Sequence, residues 1–175
     1  MTRSTDTARF LRRGFALLAA LGLVGTALEL AMLRHWKTNI QLIPWLSCAT
    51  LLVALVLLVV RPGARSITTV RALAVVIALS GLLGVVEHVY GNYQAGPLNA
   101  RYTDRWATMS STARWWAAIT KAVGASPAVA PAVLIQAALC LLFATTGHPA
   151  ARRGAPSSTS DELLVDDRAS SVPIA

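Results

Sequence analysis

Four long apolar runs, Phe15–Leu33, Ile43–Val60, Ala72–Val86 and Pro127–Thr145, alternate along the chain with shorter, arginine-bearing polar segments. Each run is near the roughly 20 residues that an α-helix needs to cross a hydrocarbon core about 30 Å thick. The third reaches that length by continuing through Glu87–Tyr90. None alternates apolar and polar positions as a barrel strand does, and a spanning backbone must satisfy its own hydrogen bonds. The pattern predicts an all-α membrane protein, a four-transmembrane-helix bundle with helices at about 11–34, 43–60, 72–91 and 127–146. The transmembrane domain then covers 10–150, between a short polar tail at 1–9 and a tail at 151–175. The latter is rich in serine and aspartate, with too little apolar content for a core, and is expected to be disordered. Pro62-Gly63 ends the second helix and opens an inner turn over 61–71.

The long connection from Asn92 to Ser126 has its own pattern. Gly96-Pro97 breaks it early, and after Asp104, a predicted N-cap, no strong breaker follows until Gly124. Trp106, Met109, Trp116, Ile119 and Val123 recur at helical spacing, which predicts one or two short amphipathic helices at about 104–123 lying in the outer interface. All five tryptophans, Trp36, Trp45, Trp106, Trp115 and Trp116, fall at that same boundary, as interfacial anchors do. Ser126-Pro127 reads as the N-cap and first residue of the fourth helix.

Charge changes the picture only through its position. Of 175 residues 55% are hydrophobic and 14% charged, against about a quarter charged in an average soluble domain. The net charge of +8 does not indicate nucleic acid, because the basic residues flank the apolar runs. Arg3, Arg9, Arg12, Arg13, Arg61, Arg65, Arg71, Arg152, Arg153 and Arg168 fall on one side of the predicted bundle. Arg34, Lys37, Arg101, Arg105, Arg114 and Lys121 fall on the other. The richer side is read as cytoplasmic, which puts both termini inside. Arg12-Arg13-Gly14-Phe15 resembles the core of a twin-arginine signal, with small residues at Gly25-Thr26-Ala27. The apolar stretch is longer than a signal's, however, and three more follow it, so the expectation is an uncleaved first helix. Cys48 and Cys140 are too few for a disulfide framework and lie at different predicted depths, so they are read as buried thiols.

Ionisable residues within spanning helices are costly and point to a site or a partner. Glu29 lies one to two turns below the outer end of the first helix, and Glu87 with His88 closes the third, so topology brings all three to one layer. Gly22, Gly25 or Thr26, and Glu29 share one helix face, as do Ser80, Gly84, His88 or Glu87, and Gly91. These small-residue stripes predict that the first and third helices pack on each other with the carboxylates turned inward. Gln136 of the fourth helix is expected to face the bundle, and Ser47 and Thr50 to complete a polar pocket.

Glu29, His35, Glu87 and His88 supply carboxylate and imidazole, which suit zinc, iron, manganese or copper. The Glu-x-x-His spacing of di-iron bundles is missing, and adjacent Glu87 and His88 point about 100° apart. Three readings stay open: a clamp in which the glutamates pair with Arg34, Arg101 or His88; a metal or haem site; or the handling of protons or small solutes.

In order, Glu29, His35, Gln41 and Pro44 (E-x5-H-x5-Q-x2-P), Gly84 to Asn92 (G-x2-EH-x3-N), GASPAVAP (Gly124–Pro131) and TGHP (Thr146–Pro149) resemble a group of four-helix bacterial integral membrane proteins with no assigned activity. The resemblance implies the inner membrane of a bacterium. It also implies that Glu29, His35, Gln41, His88 and Asn92 belong to one outer-layer constellation. No nucleophile–base motif, phosphate-binding loop or nucleotide fingerprint occurs, which favours a non-enzymatic protein. The alternatives are a small membrane redox or metal-dependent enzyme and an accessory subunit that docks on a membrane-protein partner or on a second copy of itself.

Overall fold

The computed structural model describes residues 2–152; the predicted tail from 153 onward lies outside the described residues. Within them every regular element is helical: α1 (Thr2–Met32), α2 (Ile43–Val60), α3 (Ala64–Ala95), α4 (Ser111–Ile119), α5 (Ala132–Thr145) and α6 (Pro149–Arg152). Asp6–Met32, Ile40–Val60 and Ala64–Leu98 are long and apolar enough to cross a membrane, while α5 is apolar but shorter.

The helix ends differ from the predicted ones for identifiable reasons. α1 is helical from Thr2, not from about residue 11, since no glycine or proline interrupts TRSTDTARF and propagation is easier than nucleation. α3 begins at Ala64, so the inner turn shrinks to Arg61-Pro62-Gly63, and Ile67 and Val70 are core residues. α5 starts only at Ala132, with Pro131 rather than Ser126 at its N-cap. Residues 127–131 form tight turns, closed by Ala130 N–H donating to the Pro127 carbonyl at 3.1 Å and Leu134 N–H to that of Pro131 at 3.1 Å. Proline at 131 has no N–H to give the Pro127 carbonyl, so a regular α-helix cannot run through this stretch.

The three long apolar helices and the shorter α5 form a ring in the order α1, α5, α3, α2. α5 packs along both α1 and α3, and α2 closes the ring between α3 and α1. α1 and α3 are therefore not neighbours, contrary to the pairing expected from their small residues. Both glycine faces are close-packed, but against α5. A Cβ on Gly22 would sit 3.3 Å from that of Ala137, and one on Gly81 would come within 2.7 Å of Ile135 Cγ1 and 3.0 Å of the Pro131 carbonyl oxygen. One on Gly84 would sit 2.9 Å from Pro131 Cβ, whereas Gly25 and Gly91 face open space. Neighbours run antiparallel: Phe15 packs on Phe143 at 5.2 Å between ring centroids, and Arg71 reaches Thr145 while His88 reaches Pro127.

Leu51, Ala54, Val70, Ala74, Ala138 and Leu141 are fully enclosed at the centre. Around them the bundle's outer surface is a continuous apolar belt that includes Leu17, Leu21, Val56, Val76, Leu79 and Phe143. Such a surface fits contact with lipid, where close packing rather than expulsion of water holds helices together.

α3 is 32 residues long, about 48 Å, and overshoots a hydrocarbon core. Its C-terminal extension carries a second, smaller core in which Val89 and Tyr93 meet Tyr102, Trp106, Ala117, Ala118 and Val123. Gly96 is obligatory there, because a Cβ would run into the Trp106 ring. The helix in this segment is shorter than the expected 104–123: Ser110, not Asp104, caps it by accepting a hydrogen bond from Ala113 N–H at 3.2 Å, and Asp104 lies in a run of turns.

Candidate functional site

The end of the bundle that holds the α1–α2 connection contains two adjoining cavities, each about 300 Å³. Glu87 lines the first, together with Ser80, Leu83 and Gly84; Glu29 lines the second, with Thr26, Leu33 and Ser126. His35, Pro44, His88, Pro131 and Leu134 line both. The site is thus a two-lobed cavity with two imidazoles along the partition and one carboxylate in each lobe.

His88 is oriented by the proline turn. Its Nδ1 lies 2.9 Å from the Pro127 carbonyl oxygen, which can only accept, so Nδ1 carries a hydrogen. That carbonyl is shared by the ring and Ala130 N–H, Pro131 having no hydrogen to add. His35 sits beyond the end of α1, on a connection held by Trp45, whose Nε1–H donates to the His35 carbonyl at 2.8 Å. Burial, reinforced by the neighbouring His88, moves the His35 pKa below the ordinary imidazole value, so the neutral ring is favoured.

The carboxylates are less constrained than the imidazoles. Glu29 and Glu87 are exposed, and among the described residues neither has a hydrogen-bond or ion-pair partner. The expected pairing with Arg34, Arg101 or His88 is not formed. Among the described residues no lysine or arginine lines either lobe. Thr26 is 9% exposed, lines the Glu29 lobe, and has an enclosed Oγ1 without a hydrogen-bond partner.

The remaining candidates separate. Asn92 is fully buried outside the cavity and acts as a clamp: its Nδ2 donates to the Ser126 carbonyl at 2.8 Å and to that of Ala118 at 3.2 Å, and its Oδ1 accepts from Ser126 N–H at 3.0 Å. Gly124, at φ +76°, makes room for it, since a Cβ there would lie 2.6 Å from Asn92 Cα. Gln41 accepts from Lys37 N–H at 2.7 Å and closes the α1–α2 connection without lining a lobe. Gln136 points outward from α5, not into the bundle. Ser47 spans α2 and α3 through a 2.8 Å hydroxyl pair with Ser80, while Thr50 donates back to the Leu46 carbonyl. Trp36 and Trp116 are largely exposed and Trp115 partly so, but Trp106 is buried in the second core and stacks edge-on with Tyr93 at 5.5 Å.

Sequence reasoning assigned Arg71 only to topology. Its Nε donates to Thr145 Oγ1 at 3.0 Å and its Nη2 to the Thr145 carbonyl at 2.9 Å, which caps the end of α5. Pro127 and Pro131, spaced four apart opposite a histidine, were the legible signal for the imidazole's orientation.

Among the described residues no group of three or more His, Cys, Asp or Glu is placed to hold a metal ion. Cys48 and Cys140 are both buried and free. Comparison with protein-family models, curated proteins and solved structures returned no match, so the resemblance to four-helix bacterial membrane proteins gains no counterpart there.

Proposed function

We propose that this chain is a multi-pass membrane protein that binds a small, lipid-soluble molecule in the two-lobed cavity. The observation that carries this is the pair of adjoining 300 Å³ lobes with apolar walls and a few converging polar groups, the usual make-up of a small-molecule site. The mouth residues Leu33 and Leu83 are half-exposed on the lipid-facing belt, which gives such a molecule lateral access.

In this reading α5 is the fourth crossing despite its length. It is packed between α1 and α3 along its whole course, so a bilayer that admits those two encloses it, and the turns at 127–131 extend its reach. The domain covers 10–150 and the cavity faces outward, with both termini on the cytoplasmic side of a bacterial inner membrane. The arginine distribution supports that orientation. A cysteine in place of Ser111 should then react with an impermeant maleimide added to intact cells, and one in place of Arg65 should not. The reverse pattern would invert the topology.

The cavity is tested by filling it. The wild type, extracted in mild detergent, should carry a small molecule detectable by mass spectrometry, and a Leu33→Trp/Leu83→Trp double variant should lose it. Equal retention by a folded double variant would end this reading.

A second reading, self-association through the α5 face, is favoured by Gln136. It lies mid-helix and outward, with no hydrogen-bond partner among the described residues, and an amide in lipid gains by meeting another.

A further inference from the structure

From the complement of groups around the two lobes we infer that the ligand is a hydrophobic ammonium ion, an amine with an apolar body. This rests on the cavity reading above and names the chemistry it selects. The chain as a whole carries net charge +8, yet among the described residues the only Asp, Glu, Lys or Arg side chains lining the lobes are Glu29 and Glu87. Neither has a partner among the described residues. A carboxylate at a low-dielectric surface with no counter-ion is costly, and a cation delivered into the lobe removes that cost. No described lysine or arginine enters the cavity, so the countercharge is one that a ligand can bring.

Hydrogen-bonding capacity points the same way. An ionised carboxylate only accepts. The enclosed Thr26 Oγ1 in the Glu29 lobe has no hydrogen-bond partner. An –NH3+ group brings three donors and no acceptor to these lone pairs. Among the described residues no Phe, Tyr or Trp lines either lobe, so the carboxylates rather than a cation–π cage recognise the charge. The aliphatic and proline walls take a hydrocarbon body.

The test uses three probes with one skeleton: phenethylammonium, its neutral isostere propylbenzene, and 3-phenylpropionate. Binding is measured to the full chain in zwitterionic lipid nanodiscs, with empty nanodiscs subtracted. Phenethylammonium should bind at least about tenfold more tightly than either of the others. In a Glu29→Gln/Glu87→Gln variant the ratio should fall to near one without a loss of thermal stability. Comparable binding of propylbenzene, abolished by Leu33→Trp/Leu83→Trp, would leave the cavity standing and overturn the cation. Preference for the carboxylate probe, or an ammonium preference that survives the double glutamine variant, would overturn it equally. Wild-type binding no greater than that of the tryptophan variant for all three probes would overturn both the cation and the cavity.

Discussion

The two ends of the α3–α5 pair use charge in opposite ways. At one end Arg71 spends its guanidinium on Thr145, closing the C-terminus of α5 with two hydrogen bonds. A shallow groove beside it is lined by Arg65 and Arg71. At the other end the acids Glu29 and Glu87 bond to nothing among the described residues, and His88 and the neutral amide of Asn92 join the elements. The first end is built for rigidity. The second keeps its charge unspent beside a cavity, the condition expected of a site that gives up stability for binding.

That contrast breaks most visibly at Asn92. Replacing it with leucine orphans the Ser126 N–H and carbonyl, each worth about 1–3 kcal/mol, while the Ala118 carbonyl keeps Lys121 N–H, so a stability loss of about 2–4 kcal/mol is expected. Unfolding in detergent measures it, together with faster proteolysis between Asn99 and Ser126. A loss below about 1 kcal/mol would show that the clamp is dispensable. Arg71→Met should cost less, about 1 kcal/mol, because its site is open to solvent and capping there is screened. Its effect should appear at the α5 end by hydrogen exchange and leave the cavity end unchanged.

Acidification separates the ends more finely. The His35 pKa is depressed in the folded chain, so the unfolded state takes up the proton first. Stability is then full above about pH 6.5 and falls as pH drops through that ordinary imidazole value until the folded pKa is passed. His148, held down by burial and then by Arg12, adds a parallel loss at the opposite end. His35→Gln and His148→Gln should each flatten part of the decline between pH 7 and 5, as followed by the midpoint of thermal unfolding. Persistence of the full decline in the double variant would place its origin elsewhere. The smallest effect is expected from Glu29→Gln or Glu87→Gln: no loss, and a gain of up to about 0.5 kcal/mol, since no partner is lost and an uncompensated charge is removed. A loss would mean that the acids hold the bundle together after all.

Hydropathy made the helices legible, and topology made the cluster so: Glu29, His35, Glu87 and His88 do line one cavity system. Glycine spacing was half legible. A stripe such as Gly81 and Gly84 shows that a backbone comes close, but nothing in the spacing says whose, and α5 took the place expected of α1. The direction of Gln136 was illegible because every face of α5 is apolar enough to be either inside or outside. Trp106 has the composition of an anchor, and only Gly96, a flat place for the indole to lie, hinted at its burial. A clamp by the glutamates was one of three open readings, since buried charge usually has a partner; here the neutral amide of Asn92, read only as support, holds the segment.

Pro131 has a consequence beyond the shape of its turn. Having no amide hydrogen to give residue 127, it leaves that carbonyl to two partners, Ala130 N–H and the ring of a histidine on another helix. An alanine there would bring a third donor to an oxygen with two lone pairs, in competition with the ring. A residue with no titratable group thus bears on where a proton is held in the cavity.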